Sequence, residues 1–266
     1  MPSFEPALLS PRLRHLHGAT TVIDARWRYL LRSPHWRLYR NRDAGAWIDH
    51  PGGRLQLVPN QFVWLPAWGD FRSGCSGRVR HLFMHVAIDA LDGDWHAGAL
   101  DRPQPLPRDE LLERLAERSE ESGDVRWAES LEYAAFAVWC GHLPERVATA
   151  LRNHIEAPDP IAPALRLVEE RFASAIGVRQ LAEACGCSDD TLNRLMRRRT
   201  GRSPAAWIRR RRCALAAERL ADSDLPIEQV ATMHGFANRH HFTRVFTTIM
   251  GCGPAEHRRV SRAWRD

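Results

Sequence analysis

Apolar residues in the last hundred positions recur at i, i+3 and i+4, the spacing of one buried face on an α-helix. The arrangement occurs twice. Its first copy holds Ala182 and Gly186, then Leu192, Leu195 and Met196, then Gly201, Ser203 and Pro204. Its second holds Ala231 and Gly235, then Phe242, Val245 and Phe246, then Gly251, Gly253 and Pro254. The copies stand 49 residues apart at the first two landmarks and 50 at the rest. Each predicts a helix, a tight turn, a second helix, and a fresh helix start at the proline. Ala182 and Ala231 are small enough for helices to cross closely there. Gly186 and Gly235 suit a turn that needs φ > 0. Ser188 reads as an N-cap, with Asp189 and Asp190 well placed in the first turn it opens. Ser203-Pro204 and Gly253-Pro254 each put a cap before a proline at the first helical position. These proportions are those of a helix-turn-helix, which sets a short helix into a DNA major groove. Two of them in one chain imply two adjacent grooves.

Between about residues 20 and 90 the period changes to two. Strands are predicted at Trp36–Tyr39, Ala46–His50, Arg54–Val58, Gln61–Leu65 and Val79–Ile88, with Pro51-Gly52-Gly53 as a hairpin turn. Short strands with such turns suggest a small barrel or jelly roll. Helical spacing returns over 107–155. Leu111, Leu112 and Leu115 form one stripe, Trp127, Leu131, Ala134, Ala135 and Val138 a second, and Val147, Leu151 and Ile155 a third. The segment from Glu156 to Pro163 has three prolines in six residues and predicts an extended linker. The domain boundary falls there, giving domains 1–157 and 158–266.

Helix geometry then selects the residues that face DNA. With Leu192, Leu195 and Met196 inward, Asp190, Asn193, Arg194 and Arg197 point outward. With Phe242, Val245 and Phe246 inward, Arg239, His240, Thr243 and Arg244 do. Asn can bond adenine and Arg guanine bidentately. Each Arg could equally make a sequence-blind phosphate contact, and Asp190 could serve its helix dipole rather than a base. The helix from about Pro204 to Ala221 spans roughly 25 Å. That length can hold two recognition helices about one DNA turn, near 34 Å, apart.

Residues about 161–260 resemble the DNA-binding domain of the AraC/XylS family of bacterial transcription regulators. The resemblance is carried by Ile227-Glu-Gln-Val-Ala231, by His234-Gly-Phe-Ala-Asn-Arg-His-His-Phe242-Thr-Arg-Val-Phe246 and by Gly251-Cys-Gly-Pro254-Ala-Glu-His-Arg258. The first half adds Gly201-Arg-Ser-Pro204, Trp207-Ile208 and Arg212 with Ala216. Met196 stands where the family usually has Phe, and Gly253 where it has Ser or Thr. His240 and His241 replace a Ser and an aromatic. Trp207 and His257 replace Tyr-like residues. The histidine pair bears on base preference rather than fold. The outward residues named above occupy positions the family uses for base and phosphate contacts. Arg212 occupies that of a packing residue on the linker helix. Phe62-Val-Trp-Leu-Pro66 and Arg80-His-Leu-Phe-Met-His85 resemble the family's cupin-like sensor domain. The implied fold class is α+β, an N-terminal cupin-like β-barrel with helices followed by an all-α domain with two helix-turn-helix motifs. The resemblance also implies a homodimer through the helices after the barrel, although these could instead merely cover it. RNA polymerase is a further partner it suggests.

Charge fits that division. Residues 1–160 carry 19 Arg against 21 acids and residues 161–266 carry 19 Arg against 11, so the basic excess lies in the second half. One domain only should meet a polyanion such as double-stranded DNA. The chain has no Lys. Eight of its ten Trp precede residue 140, and a strand-rich half so loaded could line a small-molecule pocket. Trp36, Trp47, Trp64, His81, Phe83 and His85 are the candidates for it, the last three sharing one strand face. A cupin enzyme would need His-x-His with a downstream Glu and His. No such set appears, so no metal or other cofactor is expected. The six scattered Cys show no zinc spacing and suit a reducing compartment. No apolar run reaches signal-peptide or membrane-span length, so a cytoplasmic protein without membrane contact is expected. These observations favour a sequence-specific DNA-binding transcription regulator, not an enzyme, controlled by an effector in the barrel. The alternatives are a cupin-type enzyme with a DNA-binding anchor and a ligand-independent regulator whose barrel only dimerises.

Overall fold

The structure is a computed structural model describing residues 13–32, 34–88, 102–156, 160–174 and 176–262. These fall into two compact units, one within 13–156 and the other within 160–262.

The first unit opens with β1 (Leu13–Ile23), β2 (Trp36–Asn41), β3 (Ala46–His50), β4 (Gly53–Gln56), β5 (Phe62–Leu65), β6 (Arg72–Cys75), β7 (Val79–Ile88) and β8 (Gln104–Pro105). Among the described residues they make two open sheets rather than the expected closed barrel. One sheet has the order β1-β7-β2-β5-β8 and the other β4-β3-β6. The chain leaves the larger ladder after Asn41 and starts a separate one at Ala46. Its hydrogen bonds are thereby divided between two sheets, and β1 and β8 remain at the edges of the larger one. The five expected strands are present as β2, β3, β4, β5 and β7, whereas β1, β6 and β8 were not foreseen.

Helices α1 (Glu110–Ser122), α2 (Val125–Gly141) and α3 (Glu145–Glu156) follow. The buried face of α1 runs through Leu112 and Ala116, whereas Leu111 is 49% exposed. Leu111 therefore does not belong to the expected stripe. On α2 the buried positions are Ala128, Leu131, Glu132, Ala135, Phe136 and Trp139. Buried Glu132 is tolerated because His15 Nδ1 on β1 lies 2.6 Å from its carboxylate. Buried Arg40 on β2 is likewise met by Glu113 and Glu120 of α1. Unpaired charges there would cost several kcal/mol.

The second unit is all helical. It comprises α4 (Ala162–Arg171), α5 (Val178–Ala184), α6 (Asp189–Thr200), α7 (Pro204–Asp222), α8 (Ile227–Met233), α9 (Arg239–Met250) and α10 (Pro254–Arg262). Part of the expected linker is α4. Pro163 sits in its first turn, where its missing N–H costs nothing. Ile161, Ala164 and Val168 bury against Leu181, Ala182, Leu192, Met196, Trp207 and Ile208. That burial of apolar surface turns a proline-rich stretch into a helix start.

Candidate nucleic-acid interface

Each motif is built by local chemistry that its neighbour repeats. In the first, α5 ends at a turn where Gly186 has φ 62°, and Ser188 Oγ caps α6 by accepting from Thr191 N at 3.2 Å. In the second, α8 ends at Gly235 with φ 73°, and Asn238 Oδ1 caps α9 by accepting from His241 N at 2.8 Å. Both crossing alanines, Ala182 and Ala231, are buried. Ser203 Oγ accepts from Ala206 N at the start of α7, as expected.

The recognition helices α6 and α9 are each 12 residues long. Position by position, 50 residues apart, they have the same sequence of buried, half-buried and exposed side chains. Leu192, Met196 and Thr200 are buried on one, and Phe242, Phe246 and Met250 on the other. Leu195 and Val245 are only half-buried, at the edge of each buried face. Facing outward on α6 are Asp190, Arg194 and Arg197, with Asn193 half-buried. Facing outward on α9 are Arg239, His240 and Arg244, with Thr243 half-buried.

Arg239, His240, Thr243 and Arg244 line one open depression together with Thr247 and Thr248. The last two were not anticipated. Carrying the outward stripe one turn further would have found them, since Thr247 is the repeat equivalent of Arg197. The two outer faces differ in chemistry. The first turn of α6 carries Asp189 and Asp190 and its last turn Arg197, Arg198 and Arg199, so its charges complement the helix dipole at both ends. In its last turn α9 carries Thr247 and Thr248 where α6 carries Arg197 and Arg198.

The six pocket candidates do not come together. Residues paired across an antiparallel ladder share a face. Arg37 pairs with His85, Tyr39 with Phe83 and Asn41 with His81. One face of the large sheet thus holds His81, Phe83 and His85 as expected, joined by Arg37, Tyr39 and Trp27, whose ring lies 5.0 Å from that of His81. Trp36 and Trp64 lie on the opposite face. There Trp36 meets Trp139 of α2 with ring centroids 5.4 Å apart. Trp64 Nε1 donates to Ala135 O at 3.3 Å. Both are core residues under α2, because β2 and β5 alternate in step. Trp47 is on the smaller sheet, half-buried, with the Arg54 guanidinium 4.5 Å from its ring. Arg37, which the sequence reading missed, is 6% exposed and donates to Leu31 O at 2.7 Å. Burial holds the His81 imidazole down at about 3. Burial, with His35 and Arg37 close by, holds His85 well below its ordinary value. Both rings are neutral at pH 7. Among the described residues no group of three or more His, Cys, Asp or Glu could hold a metal ion. No helix among them is long and apolar enough to cross a membrane.

A family model described as a helix-turn-helix domain, HTH_18, matches residues 181–260. The HTH-type transcriptional activator RhaS of Escherichia fergusonii is 32% identical over 89 residues, 34% of this chain and 32% of RhaS. The match therefore spans about a third of the length of RhaS. The multiple antibiotic resistance protein MarA of Escherichia coli K12 is 29% identical over 91 residues, 34% of this chain and 72% of MarA. ToxT of Vibrio cholerae shares the fold beyond that domain. One ToxT structure gives a TM-score of 0.61 at 11% identity, covering 92% of this chain and 98% of ToxT. ToxT with a bound unsaturated fatty acid gives 0.56 at 12% identity, covering 96% and 97%. The shared fold is an N-terminal sheet domain followed by a helical helix-turn-helix domain. Residues 181–260 thus form a helix-turn-helix domain of AraC type, similar to those of RhaS and MarA.

Proposed function

We propose that the protein is a sequence-specific transcription regulator that lays α6 and α9 into two successive major grooves on one face of DNA. The observation that carries this reading is the matched burial of the two helices, which leaves the same stripe outward on each. Asn193, Arg194 and Arg197 read bases from α6, Arg194 and Arg197 being suited to guanine. Arg239, Arg244 and His240 do so from α9, with Thr243 able to touch a thymine methyl. Asp190 favours the N-terminus of α6 and repels phosphate, which narrows how that helix docks. The 19 residues of α7 span about 28 Å, a suitable strut for grooves one turn apart. Selection of full-length protein on a random duplex library tests the reading. The expected product is a two-part sequence with parts about 10 base pairs apart. Recovery of unselected DNA would refute it.

The first unit is the sensor in this proposal, and its ligand lies against Arg37, Tyr39, His81, Phe83 and His85 rather than against Trp36 and Trp64. Support comes from the mixture of aromatic surface and few polar groups on that face. The fold shared with ToxT, crystallised with a fatty acid, agrees with it. Leu111, Trp127 and Tyr133, all exposed on α1 and α2, suit pairing with a second copy. RNA polymerase is the downstream contact of such a regulator, and the compartment is the cytoplasm.

A further inference from the structure

The surroundings of the turn glycine differ between the two copies. A Cβ built on Gly186 would have no neighbour within 4 Å, so the first turn is open. A Cβ on the equivalent Gly235 would lie 3.0 Å from Phe172 O, Ala173 O and the guanidinium carbon of Arg212. The second turn is thus pressed against the segment that leaves α4, the helix whose Ile161, Ala164 and Val168 pack on the first motif.

Arg212 holds that junction. It projects from the middle of α7 and donates to three backbone carbonyls. Nε reaches Phe172 O at 2.7 Å, one terminal nitrogen reaches Ser174 O at 2.6 Å, and the other reaches Gly235 O at 3.0 Å. Phe172 and Ser174 follow the C-terminus of α4, and Gly235 follows that of α8. Carbonyls just past a helix end lack intrahelical donors and carry the negative end of the helix dipole. A planar, permanently charged fork with five donors meets two such ends at once in fixed directions, whereas an ammonium has three donors on one nitrogen at the end of a flexible stem. Phe172 also stacks on His234, the residue before Gly235, with ring centroids 5.5 Å apart. His234 is itself held by its Nδ1 contact to Val230 O at 2.7 Å.

We propose that Arg212 is a positioning residue that sets the spacing and phase of the two recognition helices before DNA is met, by clamping the end of α4 to the turn of the second motif. It touches no base. It acts by making the two motifs one rigid reader, so that binding one groove presents the second helix to the next groove without further ordering. The proposal rests on the two-groove reading given above, and its test has one arm independent of DNA.

The experiment compares full-length wild type with R212Q and R212K. Spin labels on ketone-bearing amino acids at positions 198 and 248, both exposed, report the distance between α6 and α9 in the free protein. Wild type should give one narrow distance, R212Q a broadened distribution, and R212K an intermediate one. Random-duplex selection should yield a single spacing with wild type and several spacings, or one half-site, with R212Q. Affinity of R212Q for the wild-type sequence should fall at least tenfold, and for random duplex less than twofold. An unchanged narrow distance in R212Q would overturn the proposal, as would an equal loss on both kinds of DNA. If R212Q does not fold, R212K decides, since it keeps the charge and loses the fork. A wild-type distance in R212K would then overturn the clamp. Failure of wild type to select any sequence would sink the two-groove reading, while the distance measurement would still judge the clamp.

Discussion

Alanine at Gly235 should destabilise the C-terminal unit more than alanine at Gly186, although the two glycines occupy equivalent turns with φ of 73° and 62°. At both sites a Cβ in the left-handed region costs about 1–2 kcal/mol. The lower entropy of an unfolded chain with Ala in place of Gly offsets about 0.4–1 kcal/mol of that. Gly186→Ala should therefore cost about 1 kcal/mol. At Gly235 the new methyl also meets three atoms at 3.0 Å, two of them backbone oxygens. Phe172 O is tied to Arg212, so that wall yields poorly, and overpacking of this kind costs about 1–3 kcal/mol more. Gly235→Ala should then cost about 2–4 kcal/mol. In a unit of this size a difference of about 2 kcal/mol corresponds to roughly 10 °C in Tm. Hydrogen exchange read by mass spectrometry on peptides from α5 to α10 of the full-length protein measures the two variants without assuming that the whole chain unfolds in one step. Gly235→Ala should raise exchange across α8 and α9 first. Equal losses in the two variants, or a larger one at Gly186, would refute the argument.

Arg194→Ala and Arg244→Ala should each weaken the selected DNA site by about 1–3 kcal/mol with little change on random duplex. Arg198→Ala, at an exposed last-turn position of α6, should weaken all sequences alike and flatten the salt dependence by about one unit of slope, as fluorescence anisotropy at several salt concentrations would show. Because His81 is held at about 3 in the fold against an ordinary value near 6.5, its contribution to stability is present above pH 6.5 and lost as pH falls toward 3. That amounts to about 2 kcal/mol between pH 7 and pH 5. His81→Gln should make melting less steeply pH-dependent over that interval, and an unaltered pH profile would count against the assignment. Trp64→Phe should lose about 1 kcal/mol with its bond to Ala135 O, seen as a lower melting temperature, and leave any effector response intact in a promoter-reporter assay.

What could be read from the sequence was what neighbouring residues decide among themselves. Ser188 caps α6 as read, through a side chain three residues from the amide it accepts, and the structure shows Asn238 doing the same for α9. Gly186 and Gly235 permit a backbone sign that other residues resist. Leu192 with Met196, and Phe242 with Phe246, share a helix face by spacing alone. The two motifs and the outward candidates on α6 and α9 followed from such short-range rules. Strand pairing did not. Alternation showed that His81, Phe83 and His85 share a face. Only the register of β2 against β5 and β7 placed Trp64 on the other one, under α2. Burial of Ile161 and Ala164 made a helix of a stretch whose prolines suggested a linker. The resemblance marked Arg212 as a packing residue of the linker helix, but what it packs against could not be read, for the same reason. Its three acceptors lie 23 to 40 residues away, and no local pattern encodes contacts made by packing one helix end against another.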